Sequence, residues 1–193
     1  MNQIVASTPV FLDGERENVR TNETLLGHII ADSLAAYTAA DVAFMNGGGI
    51  RVSIPAGQIS RGQIITVLPF GNTIVTINAT GSTILAALEH SAAVYPEQNG
   101  GWLHTAGLTY TINVQQPAGS RISNVLINGV PLVATQNYVV ALPDFLASGG
   151  DGFAMFTPVP RLGEFATDDV IFVNYLVYGQ PNFSFTPRVT WVR

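Results

Sequence analysis

The hydrophobic repeat of this chain changes period part-way along. Up to about residue 95, apolar residues recur at helical spacing in segments joined by short apolar strands, and beyond it short strand-like runs are separated by turn residues. In "TNETLLGHIIADSLAAYTAA", residues Leu25, Leu26, Ile29, Ile30, Leu34 and Tyr37 fall on a helical stripe. This predicts a helix over about 22–39, with Thr21 or Asn22 as its cap. "SRGQIITVLPF" reads as a short helix capped by Ser60 and ended near Pro69. "GSTILAALEHSAAVY" reads as a helix with Leu85, Leu88 and Ala92 on one stripe, and "TDDVIFVNYLVYG" as a later one begun at Thr167. Strands are expected in "QIVASTPVFLDG", "DVAFMN" and "NTIVTINAT", then in "GLTYTINV", "RISNVLIN", "VPLVA", "NYVVALP" and "PRVTWVR". Helices early and hairpins late favour an α+β fold, a mixed sheet packed by helices, over regular βαβ repeats. No linker, repeat or low-complexity stretch interrupts the pattern, so residues 1–193 are expected to form a single domain.

Composition narrows the function classes. Hydrophobic residues make up 47% of the chain and charged residues 11%, yet no apolar run is long enough to span a bilayer, so the apolar residues are assigned to a core. The opening "MNQIVASTPV" has neither the basic region nor the apolar stretch of a signal peptide. A net charge of −5 argues against a nucleic-acid partner, which favours a basic surface. All eight basic residues are arginine. That pattern fits either two-pronged hydrogen bonding to phosphate or carboxylate, or a compositional bias of the genome. There is no cysteine, which excludes disulfides and thiolate metal sites.

Four stretches offer chemistry. "FMNGGGIR" sets three glycines between Asn46 and Arg51; it lacks the Gly-Lys-Ser/Thr of a phosphate-binding P-loop, and reads as a turn or as a ligand loop around Gly48. "LDGERENVR" puts Arg16 and Arg20 four apart, as a shared anion contact or as a solvated pair balanced by Glu15 and Glu17. "VLPFGN" places Phe70 in a turn, either exposed for stacking or plugging the core. "ALPDFLASGGDGF" places Phe145 and Asp151 around a glycine-rich loop, where the carboxylate suits sugar hydroxyls or an Asx-turn. The histidines His28, His90 and His104 form no metal-binding spacing, and no nucleophile elbow or Ser-His-Asp set is present. The residues suit the binding of a planar, anionic, hydroxylated ligand; no catalytic or metal-ligating residue is assigned.

Taken in order, "LDGERENVRTNETLLGHIIADS", "ADVAFMNGGGIR", "GQISRGQI", "VLPFGNTIVTINATGSTILAALEHS", "GGWLHTAGLTYTIN" and "NYVVALPDFLASGGDGF" resemble the C-terminal domain of the 5'-nucleotidase family, which includes UDP-sugar hydrolases and 2',3'-cyclic-nucleotide phosphodiesterases. The resemblance implies that Phe70 and Phe145 sandwich a nucleobase. It implies that Asn46 contacts the base edge and that Arg20 and Arg51 hold phosphate and ribose oxygens. Arg16 is implied as a further anion contact, Gly48 as part of the pocket, and Asp151 as acceptor for the ribose hydroxyls. It further implies a partner N-terminal metallophosphoesterase domain carrying two divalent metal ions, whose DxH, GNHE and GHxH-type motifs this chain lacks. No cofactor is therefore expected in this chain, which alone is expected to be inactive. An AMP-like ligand is the expected partner, in a secreted or periplasmic protein. Two rival expectations are a stand-alone nucleotide-binding module and a family hydrolase with a non-nucleotide substrate. Loss of the phenylalanine pair would favour the second, and both phenylalanines are present.

Overall fold

Strand β2 (Val42–Asn46) is buried along its whole length, and it organises the rest. With a period of two, Val42 and Phe44 enter one hydrophobic cluster while Ala43 and Met45 enter another. Covering both faces of such a strand requires layers on either side. A computed structural model describes residues 3–193. It shows a single α+β domain built on a five-stranded mixed sheet in the order β10-β4-β9-β2-β5, formed by Arg161–Thr167, Thr73–Thr80, Asn137–Pro143, β2 and Leu103–Ala106.

On one face lie α2 (Leu25–Thr38), α3 (Arg61–Val67) and α6 (Asp168–Tyr178), whose Leu26, Ile30, Ile64, Ile171 and Phe172 are buried against the sheet. The other face packs on α4 (Gly81–Ala92) and on a second, four-stranded sheet. That sheet runs β11-β6-β7-β8, from Val189–Val192, Leu108–Asn113, Ile122–Ile127 and Val130–Pro131. A two-stranded ribbon, β1 (Ile4–Thr8) with β3 (Gly57–Ser60), completes the strands.

Register decides where a site can form. Strands β2 and β9 are parallel, so both end at the same edge of the sheet. Strands β4 and β5 run antiparallel to them, with Ile74 opposite Pro143 and Leu103 opposite Asn46, so both begin at that edge. The glycine loop after β2, the 70–72 turn before β4, the 99–102 loop before β5 and the 144–153 loop after β9 therefore converge. Loops beyond the carboxyl ends of parallel strands are the usual place for ligands in open sheets.

Local chemistry explains the helix ends. Ser60 and Gln63 form a reciprocal capping box at the start of α3, as expected from "SRGQ". Helix α2 begins later than its sequence pattern suggests: Thr24, not Thr21 or Asn22, accepts from Gly27 N. The amides of Thr21 and Asn22 are already donated to Asn18 O, at the end of the one-turn helix α1 (Arg16–Val19). Strands β3, β5 and β10 were not expected, and "VPLVA" shrinks to the two residues of β8. The "ALPDFLASGGDGF" stretch is not a glycine-rich loop throughout, because Asp144–Ala147 forms the short helix α5.

Candidate functional site

Asn46 closes β2 and is buried. Its Nδ2 donates to Asp151 Oδ2 at 2.8 Å, while its Oδ1 is buried without a partner. The three glycines that follow form one 3₁₀ turn. They are needed for close approach: a Cβ on Gly47 would lie 1.9 Å from Val19 O. Gly47 N donates to Trp102 O at 2.7 Å, and Gly48 N to Gly100 O at 2.8 Å. These two amides fasten the loop to the 99–102 segment rather than facing outward as a phosphate cradle.

Arg20 follows the last turn of α1. Its carbonyl accepts from Asn99 N at 3.0 Å, and its Nε is buried and unpartnered. Burial lowers its pKa, and the charges of Arg16 and Arg51 lower it further, opposed by Asp151. Three guanidinium groups thus sit near one carboxylate, an excess of positive charge that favours an anion. Arg51 is exposed, donates to Gly48 O at 3.3 Å, and holds its guanidinium 5.7 Å from the centre of the Phe70 ring.

Phe70 is 59% exposed and Phe145 43% exposed. The sequence left open whether Phe70 stacks or plugs; that much exposure is wrong for a core plug. Phe145 stands on α5, and its ring fits only because residue 150 lacks a side chain: a Cβ there would lie 2.5 Å from the ring. Asp151 takes a left-handed φ of 53°, uncommon without glycine.

These groups line one cleft of about 240 Å³. Seven of the eight residues selected from the sequence border it: Arg20, Asn46, Gly48, Arg51, Phe70, Phe145 and Asp151. Arg16 stands outside, with its Nε 3.4 Å from Gln98 Oε1. Sequence reasoning missed Asn72 and Gly100, which also line the cleft. Gly71-Asn72 reads only as turn chemistry, and nothing in "QNGG" says that its backbone backs the glycine loop. A larger groove of about 600 Å³, walled by Val10, Phe11, Phe183 and Phe185, includes Asp13 and Glu23 but no basic residue, so the chemistry for an anionic ligand lies in the smaller cleft.

The histidines have structural partners. His28 is buried 2.9 Å from Glu23 and stacks on Phe185. His104 is buried, and its pKa is pushed down to about 4 chiefly by that burial, so it is neutral near pH 7. Its Nε2 donates to Val19 O, immediately before Arg20. Among the described residues, no three His, Asp or Glu side chains are grouped so as to hold a metal ion, and no helix is long and apolar enough to cross a membrane.

Comparison with known proteins assigns the family. The family model described as 5'-nucleotidase, C-terminal domain, matches residues 4–158. The trifunctional nucleotide phosphoesterase protein YfkN of Bacillus subtilis is 38% identical over 92% of this chain, which corresponds to 12% of that protein. A 5'-nucleotidase of Vibrio vulnificus is 36% identical over 83% of this chain and 28% of its own length. The crystal structure of a 5'-nucleotidase precursor from Thermus thermophilus superposes with a TM-score of 0.93 at 36% identity, over 100% of this chain and 40% of that one. The chain therefore spans well under half the length of these relatives. With the glycine loop, the paired phenylalanines and Arg20 and Arg51 inside the matched span, the chain belongs to the 5'-nucleotidase family and corresponds to its C-terminal domain.

Proposed function

We propose that this chain holds the nucleotide substrate of a phosphoester hydrolase. The observation that carries the reading is the single cleft that joins two half-exposed phenylalanines to an arginine cluster and to a carboxylate on a left-handed loop. A nucleobase enters between Phe70 and Phe145, where stacking tolerates any flat ring. Asp151 accepts from the ribose hydroxyls. Arg20, through its unpartnered Nε, and Arg51, through its exposed guanidinium, bind phosphate oxygens, with Arg16 adding charge from outside. One of the two N–H groups of Asn46 Nδ2 is engaged by Asp151, which leaves the amide its second N–H and its unpartnered Oδ1 acceptor.

Two divalent metals would activate water and stabilise the leaving oxygen in such a hydrolase. The residues of this chain do not fit that role, since its described carboxylates and histidines form no ligand group. The metals are assigned to a metallophosphoesterase domain N-terminal to this one in the full-length protein, located outside the cytoplasm. This chain supplies position and specificity.

The test is calorimetric titration of the 193-residue chain with AMP and adenosine. Half a site is expected to bind AMP at roughly −4 to −6 kcal/mol, a Kd of millimolar to tens of micromolar. Arg51→Ala is expected to weaken AMP about tenfold while changing adenosine by less than about threefold, because a hydrogen bond to a charged group is lost only with the phosphate. Equal losses for both ligands would remove the arginine from the phosphate. Incubated with AMP and Mn²⁺, Co²⁺ or Zn²⁺, the chain is expected to release no phosphate above background; robust metal-dependent hydrolysis would overturn the division of labour.

A further inference from the structure

Helix α4 ends beside the cleft, and its last turn touches both loops that close it. Ser91 Oγ accepts from Leu103 N at 2.8 Å, and Ser91 O accepts from Asn99 Nδ2 at 3.2 Å, which fixes the 99–102 loop. One residue earlier, His90 Nε2 lies 2.8 Å from Asp151 O. A carbonyl oxygen only accepts, so Nε2 carries the proton in this contact. The ring meets Phe153 edge-on at 4.6 Å, and a Cβ on Gly152 would lie 2.9 Å from it.

The helix that presents His90 is itself well anchored. Thr80 caps its start. The Glu89 carboxylate accepts from the backbone amides of Arg121 and Ile122, and Arg121 Nη1 donates to Ala92 O, Ala93 O and Tyr95 O at the far end. Such a side chain suits the task of holding something else in place. What it holds is a strained residue. A left-handed non-glycine conformation persists only when its surroundings over-determine it. Asp151 is gripped at two points: Asn46 Nδ2 on its carboxylate and His90 Nε2 on its carbonyl. Phe153 N, donating to Gly150 O at 3.2 Å, closes the turn around Asp151, and Asn46 fixes one carboxylate oxygen, but among these contacts only His90 holds the carbonyl of Asp151 itself.

We propose that His90 is a positioning residue that locks Asp151 in its left-handed conformation and thereby sets recognition of the ribose diol. This rests on reading the cleft as a nucleotide site. The base and phosphate contacts are made by Phe70, Phe145, Arg20 and Arg51, none of which His90 touches, so its effect belongs to the sugar.

Two variants separate the hydrogen bond from packing: His90→Phe keeps the aromatic contact with Phe153 and removes the donor, whereas His90→Gln keeps a donor. Each is titrated calorimetrically with adenosine and with 2',3'-dideoxyadenosine. The parent chain is expected to prefer adenosine by about tenfold, as for hydrogen bonds to a charged acceptor. His90→Phe is expected to reduce that preference below about threefold without changing dideoxyadenosine affinity, and His90→Gln to restore it. Full discrimination in His90→Phe overturns the proposal. A ligand-free measurement keeps it testable by itself: the Asn46 side-chain amide signals in a proton–nitrogen NMR spectrum. His90→Phe is expected to shift these signals and speed their exchange as the Asp151 contact loosens; unchanged signals overturn the positioning role. If the parent chain binds neither nucleoside, the nucleotide reading falls, and the amide signals still decide whether His90 holds Asp151.

Discussion

Replacing Phe70 or Phe145 with alanine is expected to weaken AMP binding by about 1–3 kcal/mol each, the usual worth of a base–aromatic stack, which is roughly 5- to 150-fold in Kd. Both rings line the cleft, and their exposures of 59% and 43% leave large ring surfaces without a protein partner. That exposure separates two readings of the same residues. A phenylalanine packed in the core loses about 3–5 kcal/mol of stability on truncation to alanine, and a half-exposed one loses much less. The expected signature is therefore a large fall in affinity with little change in the urea midpoint. Adenosine should fall in parallel with AMP, because the ring contacts the base and not the phosphate. The two losses should not add fully when both residues are replaced, since the second ring has less to sandwich once the first is gone. A fall in stability with unchanged binding would make the rings structural. Unchanged binding and unchanged stability would move the base elsewhere on the surface.

The parts of this site that were legible in the sequence are those whose chemistry is local. Phe70 in a turn, Asp151 in a glycine loop and Asn46 before three glycines each advertise a special position through their immediate neighbours. The periodic segments α2 and α4 were plain as helices, but period alone did not fix their buried faces: residues 26–31 of α2 are buried on every side while Tyr37 of the expected stripe is exposed, and in α4 Ile84 and Ala87 are buried where Leu85 is only half-buried. What could not be read is what register decides. Asn72 and Gly100 belong to the cleft only because β4 and β5 run antiparallel to the β2 and β9 strands, and no local pattern encodes strand order. Strand β10 was missed for a related reason. "RLGEFAT" has no fully buried residue and pairs only along one edge of β4, with register shifts, so its hydrophobic signal is weak. The glycine loop reads from its sequence either as a turn or as a place where ligand meets backbone amide. Its first two amides instead serve the fold, and the glycines allow contact with α1 and the 99–102 loop. His90 looked like an ordinary helical residue, since its partner lies 61 residues away.

Stability of the chain is expected to fall as pH rises from about 4 to about 7, through one carboxyl, Asp168. This residue opens α6 and is buried at 1% exposure. Its amide donates to Asn72 O at 2.9 Å, and its carboxyl faces Asn72 Nδ2 at 3.5 Å, Asp169 N at 2.9 Å and the Asp169 carboxylate. Burial is the largest influence and raises the pKa; the neighbouring Asp169 charge raises it further, while hydrogen bonds from Asp169 N and Asn72 lower it. The outcome is a value pushed up to about 7 from 3.8. The position at a helix N-terminus favours the anion, but only by ~0.3–1 kcal/mol, too little to offset burial. The direction is opposite to that of a salt-bridged carboxylate. Between about pH 4 and 7 the folded chain keeps a proton that the unfolded chain has released, so this group costs nothing at low pH, costs progressively more as pH rises through the window, and imposes a constant penalty above it. Over about three pH units the contribution is of order 4 kcal/mol at most. Asp168→Asn keeps an acceptor for Asp169 N and cannot ionise. It is therefore expected to unfold at higher urea than the parent at pH 8, to differ little at pH 4, and to lose the parent's slope between them. The slope should be read from paired urea titrations of the two chains, because other carboxylates titrate in both and cancel in the difference. An Asp168→Asn chain less stable than the parent at pH 8 would mean that the helix terminus and the Asn72 contact accommodate the carboxylate as an ion. In that case the tie between α6 and the 70–72 turn, one wall of the cleft, would depend on the negative charge itself.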